Sequence, residues 1–362
     1  MNKPIRILQI VPSVNQTSGI FNVVLNWHKY IETTKIQFDY LYFSKNAVTG
    51  QEKEIEKLGG RCFYLSYRNP LRFILNLGTI FKENKYKTIH SHILQLPMII
   101  FPIAKICGVK NIIQHAHSTK LSDKRLRAIR NYLMLHSVWT LITKKLACSE
   151  KAGCFFFGDR FEVIKNGIEP ERFSYKPEVR LTKRKELGID NNFIIGHVGH
   201  LSPEKNHVFL LQIFSKIIEQ IPSAKLVLVG NGCLENKLKK IVTERNLSND
   251  VLFLGPRNDV PDLLQVFDLF ILPSLFEGLG IVAIEAQAAG LPCLLADTLP
   301  QEAFICNYKS LSLDEPDEWI SSALTFINNF KRKDTTSQIN DRGFASKDVA
   351  TEIQNYYFQL GK

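Results

Sequence analysis

Two glutamates stand eight residues apart in the stretch Ser274-Leu-Phe-Glu277-Gly278-Leu279-Gly280-Ile281-Val-Ala-Ile-Glu285-Ala-Gln-Ala-Ala-Gly-Leu-Pro292. The run before it, Leu269–Pro273, reads as a strand, and the residues from about Leu279 read as a helix. That places Glu277 at the helix mouth and Glu285 about two turns below it. The first turn of a helix offers backbone N–H groups and the positive end of the dipole to an anion. Glycines let a ligand approach the backbone closely, and carboxylates accept hydrogen bonds from hydroxyls. The chemistry favoured is a phosphate at the helix start with sugar hydroxyls on the carboxylates. An amphipathic helix with a solvated glutamate fits the same residues.

A second cluster, Gly196-His-Val-Gly199-His200-Leu-Ser-Pro-Glu-Lys205-Asn206, also lies between a strand pattern and a helical one. A fixed cation there would stabilise an anionic leaving group as charge builds on it. Lys205 carries a charge, whereas a neutral His200 donates one hydrogen bond and no charge. The plainer alternatives are an exposed loop lysine and a loop-filling histidine. Nearer the N-terminus, the strand Ile5–Val11 leads to Ser18-Gly19 at a helix start. One glycine suffices there for an anion-accepting turn, and an ordinary loop-to-helix turn explains the residues too. The string Ile112-Ile-Gln-His115-Ala-His117-Ser118-Thr-Lys120 ends another strand, and His90-Ser-His92 ends the one before it. Alternate strand residues share a face, so each His-x-His could give two metal ligands. Spacing marks no third, and catalytic zinc uses three protein ligands. No metal site is expected, and His90 and His92 read as structural.

Such residues need parallel strands to position them. Short β-rich runs alternate with helical patterns from Ile5 to Ala296, which implies parallel sheets covered on both faces. The alternation pauses at about Pro170–Asp190, a polar stretch with two prolines and no strand pattern, and resumes at Phe193. The expected class is α/β with two Rossmann-like domains facing across a cleft: residues 1–172, a linker 173–190, residues 191–345, and a C-terminal helix in 346–362 that crosses back to the first domain. Ligands of such sheets bind at the carboxyl ends of the strands.

The chain has 362 residues, 45% hydrophobic and 22% charged, with seven dispersed cysteines and no CxxC pair. This argues against disorder, coiled coil and a disulfide scaffold, and for a reduced intracellular protein. There is no run of 18 apolar residues and no signal-peptide core, so no spanning helix is expected. The net charge of +11 is uneven: residues 1–180 hold 28 Lys and Arg against 13 Asp and Glu, the rest 18 against 22. Basic residues concentrate at 119–146, with Lys120, Lys124, Arg125, Arg127 and Arg130 beside an apolar stripe of Leu126, Ile129 and Leu133. A basic amphipathic helix suits an anionic membrane surface, and the same stripe could pack on the sheet. A nucleic-acid partner has no recognisable motif to support it.

With Pro273 before it, the Glu277-x7-Glu285 stretch resembles the retaining nucleotide-sugar glycosyltransferases of family 4, which have the GT-B fold. The resemblance covers nearly the whole chain and includes the Asn166-Gly167-Ile168-Glu169 to Phe173 element. It implies that Glu277 contacts the donor sugar, that Glu285 binds the ribose hydroxyls, and that the backbone of Gly278, Leu279, Gly280 and Ile281 meets the sugar and diphosphate. It further implies that Lys205 and His200 clamp the diphosphate, that Ser18 and Gly19 border the donor, and that His117 (or His115) is directed at the sugar. The family usually has arginine where His200 stands and often two glycines where Ser18-Gly19 stands, which questions the two-cation clamp. The implied activity is transfer from a UDP-sugar, with no cofactor or metal, to a lipid-pyrophosphate-linked or growing glycan in bacterial surface polysaccharide assembly. The enzyme would be cytoplasmic and peripheral on the inner membrane face. A nucleotide-sugar epimerase of the same architecture and a non-catalytic nucleotide-sugar-binding subunit are the rival expectations.

Overall fold

The computed structural model describes residues 3–15, 18–44, 51–94, 96–122 and 125–360; Lys124, singled out above, lies outside the described residues. The chain divides into two units, Met1–Ile168 with Ala345–Lys362, and Glu169–Phe344.

The first unit runs β1 (Ile5–Ile10), α1 (Gly19–Tyr30), β2 (Ile36–Tyr42), α2 (Gln51–Lys57), β3 (Cys62–Tyr64), α3 (Pro70–Asn84), β4 (Thr88–Ser91), α4 (Pro97–Ile106), β5 (Asn111–Ala116), α5 (Arg125–His136), β6 (Lys144–Ala147), α6 (Glu150–Phe157) and β7 (Glu162–Val163). Its strands pair in parallel in the order β3-β2-β1-β4-β5-β6-β7. Every residue of β2 is buried, as expected of a parallel sheet covered on both faces. On one face α1 lays down Phe21, Trp27 and His28, all fully buried. Its start is set by Ser18, whose hydroxyl accepts from the Phe21 N–H.

The second unit runs α7 (Pro170–Phe173), α8 (Pro177–Leu187), β8 (Phe193–Val198), α9 (His207–Gln220), β9 (Ala224–Val229), α10 (Glu235–Glu244), β10 (Val251–Gly255), α11 (Val260–Val266), β11 (Leu269–Leu272), α12 (Ile281–Ala288), β12 (Cys293–Ala296), β13 (Tyr308–Leu311), α13 (Pro316–Asn329) and α14 (Thr336–Asp341). Its sheet order is β10-β9-β8-β11-β12-β13, again parallel. In both sheets the order reverses beside the first strand, between β1 and β4 and between β8 and β11, which is the switch point where open α/β sheets bind ligands. The expected strands are present. β13 was not expected: it pairs only with β12, and its first three residues are exposed, so it lacks the apolar signature of a buried strand.

The final helix, α15 (Ser346–Leu360), belongs to the first unit and packs on α1. The chain leaves and re-enters that unit side by side, the Ser346 N–H donating to the Ile168 carbonyl at 2.7 Å. A Cβ on Gly167 would stand 2.8 Å from Ser346 Cα, so the Asn-Gly pair serves this close approach.

The segment 173–190 is not a linker. It carries α8, fastened to the second unit by arginines rather than by an apolar stripe: Arg184 is its one buried residue. Asp268 accepts from Arg180 and Arg184, both at 2.5 Å, and from the Ile194 N–H at 2.7 Å. Arg180 also donates to the carbonyls of Gln265, Val266 and Phe267 at the end of α11, where the helix dipole favours cations. Among the described residues no helix is long and apolar enough to cross a membrane.

Because α8 is held by charge, Asp268→Ala should release it. Leaving two cations without their carboxylate costs about 3 kcal/mol, the low end for a broken buried pair because Asp268 is partly exposed. Hydrogen–deuterium exchange of the α8 amides should then quicken about 100-fold; unchanged exchange would show that apolar packing holds the helix.

Candidate active site

In the second unit the candidate residues converge at the carboxyl ends of β8 and β11. The loop after β8 carries Lys205, whose ammonium donates to Glu277 at 2.5 Å, and the Ser274 hydroxyl donates to the same carboxylate oxygen at 2.7 Å. The two loops are joined at the backbone, the Leu275 N–H donating to the Glu204 carbonyl at 2.8 Å. Lys205 and Glu277 side chains are only 14% and 13% exposed, so the pair is screened little by solvent. An ammonium has three donors; one bond to Glu277 leaves two N–H groups for a phosphate. Ser274 was not foreseen as a partner of Glu277, although it lies three residues away.

Gly280, at φ +79°, caps α12, which begins at Ile281, two residues later than expected. Glu285 is therefore in the second turn. Leu279 is buried and Gly278 and Ile281 are half-buried; a Cβ on Gly280 would lie 3.7 Å from Glu277 Cγ, so Glu277 sits beside the helix start, where the Ala283 N–H donates to the Gly280 carbonyl. Burial raises the Glu285 carboxyl from the usual 4.5 to about 7, with Arg172 on α7 opposing the shift.

His200 is exposed, and its Nδ1 meets the Asn231 carbonyl at 2.5 Å. A carbonyl only accepts, so Nδ1 carries the hydrogen and neutral His200 presents Nε2 as an acceptor. The single hydrogen bond expected for a phosphate is already engaged; His200 can donate to a phosphate only as imidazolium. Its partner sits in Gly230-Asn231-Gly232, a turn the sequence reading passed over. A Cβ on Gly230 would fall 2.1 Å from the Gly199 carbonyl oxygen, so glycine there lets the loops after β8 and β9 lie against each other.

In the first unit Ser18 and Gly19 open α1. A Cβ on Gly19 would meet nothing within 4 Å, so the fold itself does not demand glycine at that helix start. His117 belongs to a ladder. The register pairs Gln9 with His90 and sets His92 beside His115, so Gln9, His90, His92, His115 and His117 share one face. His90 and His92 stack with centroids 4.2 Å apart, as do His115 and His117. Trp27 lies over His90 and His115. Burial holds all four imidazoles well below their usual range, His117 down to about 3, so they are neutral at pH 7. His90, His92 and His115 bring one nitrogen each within 4.8 Å of one another, a third potential ligand that strand spacing alone could not show. The ring nitrogens between neighbours are engaged with each other: His90 Nε2 with His115 Nδ1 at 3.1 Å and His92 Nδ1 with His117 Nε2 at 2.8 Å. A metal would have to replace those bonds.

The basic stripe does not pack on the sheet. On α5 the buried residues are Asn131 and Leu135, while Leu126 is 81% exposed and Leu133 60%. Arg125, Arg127 and Arg130 are exposed beside them, as is Lys120 just upstream. On α4, which packs on α5, Met98 and Ile106 are exposed, and on α3, which packs on α4, so are Leu71 and Leu75.

Each unit is thus a doubly wound parallel sheet, and the second holds a lysine–carboxylate pair at a helix mouth. The sequence model for glycosyl transferases group 1 matches residues 179–341. A Bacillus subtilis protein named as the glycosyltransferase EpsF is 33% identical over 330 residues, covering 86% of this chain and 84% of its own length. An Escherichia coli protein named UDP-Gal:alpha-D-GlcNAc-diphosphoundecaprenol alpha-1,3-galactosyltransferase is 31% identical over 83% of this chain and 82% of its own. Among solved structures, Anabaena Alr3699/HepE in complex with UDP matches with a TM-score of 0.79 and 19% identity, covering 98% of this chain and 100% of that one. The chain belongs to the glycosyl transferases group 1 family.

Glu285 yields a test that needs no substrate. In the unfolded chain its carboxyl ionises near 4.5, in the folded protein near 7, so stability is lost as pH rises between those values. Glu285→Gln should raise the melting temperature at pH 8 and give little or no gain at pH 4.5. An equal effect at both pH values would show that the carboxyl ionises normally.

Proposed function

We propose that the protein transfers a sugar, with retention, from a UDP-sugar to a lipid-pyrophosphate-linked or growing glycan at the cytoplasmic face of an anionic membrane, in surface polysaccharide assembly. The observation that carries this is the Lys205–Glu277–Ser274 cluster at the mouth of α12. It puts a cation beside the positive end of a helix, the arrangement that stabilises charge on a departing diphosphate. Glu277 orients a sugar hydroxyl, and Glu285 accepts the ribose hydroxyls once ionised. The leaving phosphate oxygen takes the proton of the attacking hydroxyl, so no metal or separate base is required. Support for the nucleotide and acceptor comes from the names of the Escherichia coli relative and of the UDP-bound structure. The exposed leucines and arginines of α5, joined by those of α3, support the membrane surface.

Screening UDP-, GDP-, ADP- and TDP-sugars should find slow hydrolysis of a UDP-sugar, reduced about 10²-fold or more in Lys205→Ala and Glu277→Ala. His200→Arg, which places a fixed cation beside the Asn231 carbonyl, should preserve or raise that activity. Clean epimer formation without an acceptor would replace this function with epimerisation, and no donor binding would leave a non-catalytic protein.

Vesicle sedimentation should show binding to phosphatidylglycerol vesicles and little to phosphatidylcholine. At about 1 kcal/mol for each basic residue at the surface, replacing Arg125, Arg127 and Arg130 together by alanine should weaken binding about 100-fold. Undiminished binding would remove α5 from the surface.

A further inference from the structure

Strand order brings three imidazoles to one point inside the first unit. Spacing within a strand supplies two of them, His90 and His92 on β4; the third, His115, comes from the adjacency of β5. One nitrogen of each lies within 4.8 Å of the other two, and His90 Nε2 stands 3.1 Å from His115 Nδ1. Two nitrogens bound to one tetrahedral zinc at about 2.0–2.1 Å are about 3.3–3.4 Å apart, so these two already have nearly the spacing of ligands on one ion. The groups behind the rings also suit a metal. Gln9 Oε1 meets His92 Nε2 at 2.9 Å; an amide oxygen only accepts, so His92 keeps its hydrogen on Nε2 and its Nδ1 carries the lone pair. The Tyr357 hydroxyl, 2.6 Å from His90 Nδ1, can accept a hydrogen from that nitrogen and leave Nε2 to ligate. Partners of this kind on the far nitrogen orient ligating histidines. Burial keeps all three rings neutral at pH 7, the form that ligates.

We propose that His90, His92 and His115 bind one zinc ion, with Gln9 and Tyr357 as its outer partners. Zinc accepts whatever angles its ligands impose, whereas copper and nickel favour a plane of four, which three nitrogens gathered from one face of a sheet do not make. Loading replaces the hydrogen bond between His90 and His115 and the one between His92 Nδ1 and His117 Nε2 at 2.8 Å. Two neutral hydrogen bonds are small beside the affinity of structural zinc. No proton leaves the protein, since each neutral ring keeps its one hydrogen on the nitrogen turned away from the ion. The ladder ends at half-exposed His117, the side from which the ion and a fourth, water ligand enter. Trp27 lies over His90 and His115, and Tyr357 against His90. The ion is structural: it ties β4 to β5 beneath α1 and α15 and takes no part in the transfer step. It depends on nothing proposed above about the sugar donor.

The full-length protein, stripped with a chelator and reloaded with Zn²⁺, should keep one ion per chain through gel filtration and melt at a higher temperature than the stripped form. Gln9→Met should weaken binding about 10–100-fold and His92→Asn by more than that, while His136→Asn, at an exposed histidine, should change nothing. Co²⁺ at the same place should quench the fluorescence of Trp27, whose ring is 6.0 Å from that of His90 and 5.8 Å from that of His115. Trp27→Phe should then bind Co²⁺ without that quenching. X-ray absorption at the zinc edge should show imidazole nitrogens and one oxygen at about 2.0–2.1 Å and no sulfur. Sulfur in the shell would assign the ion to cysteine and overturn the proposal. So would loss of the ion on gel filtration, undiminished binding in His92→Asn, or quenching that survives in Trp27→Phe. Should His92→Asn not fold, the wild-type absorption spectrum and the quenching decide by themselves: a shell without imidazole, or no quenching at one ion per chain, rules the site out.

Discussion

Strands that all run the same way end on the same edge, and within each unit this constraint gathers the candidate donor-binding groups. β1 delivers the chain to Ser18 and Gly19, β4 and β5 to His92 and His117, β8 to His200 and Lys205, and β11 to Ser274 and Glu277. Each sheet reverses its order beside its first strand, so neighbouring crossovers depart to opposite faces and leave their loops apart at that edge. Residues 72 positions apart, Lys205 and Glu277, meet as an ion pair because β8 and β11 are adjacent. A parallel sheet must also be buried on both faces, which is why polar side chains rising from it have to find partners inside.

Those buried partners give each unit its internal order. In the first, Asp39 is fully buried and gathers Arg61, the Arg61 N–H and the Tyr86 hydroxyl at 2.7, 2.9 and 2.6 Å, together with Arg6. On the other face the amide of Gln9 and the imidazoles beside it form a chain of donors and acceptors with one consistent direction. In the second, Arg180, Arg184 and Arg332 converge on carbonyls at the end of α11. A buried polar network of this sort is worth little when half made and much when complete, so it favours one arrangement over near alternatives more than it adds net stability.

The legible parts of the sequence were those written in apolar periodicity and glycine spacing. The strands of both sheets announced themselves because their burial leaves β-rich runs, and the glycines flanking Glu277 marked a helix start. What was hidden was held by polar contacts. α8 reads as a linker because its inward face is an arginine, and β13 reads as a loop because an exposed edge needs no apolar face. The approach of His115 to His90 depends on strand order, which spacing within one strand does not contain. Likewise the hydrogen of His200 is engaged by a carbonyl 31 residues away, and only the fold shows that the neutral ring has none left to give.

The second unit is inserted into the first, and this sets an order for biosynthesis. Tyr357 meets Gln9 across 348 residues of chain. At the usual elongation rates of about 5–20 residues per second, that interval lasts roughly 20 s to a minute. For that time the opening sheet exists without the helix that covers it, its histidines open to water and its first strands unclosed, while the inserted unit emerges whole and can fold by itself. The nascent protein therefore finishes its second half before its first, and the first half is the one a ribosome-bound chaperone would have reason to guard.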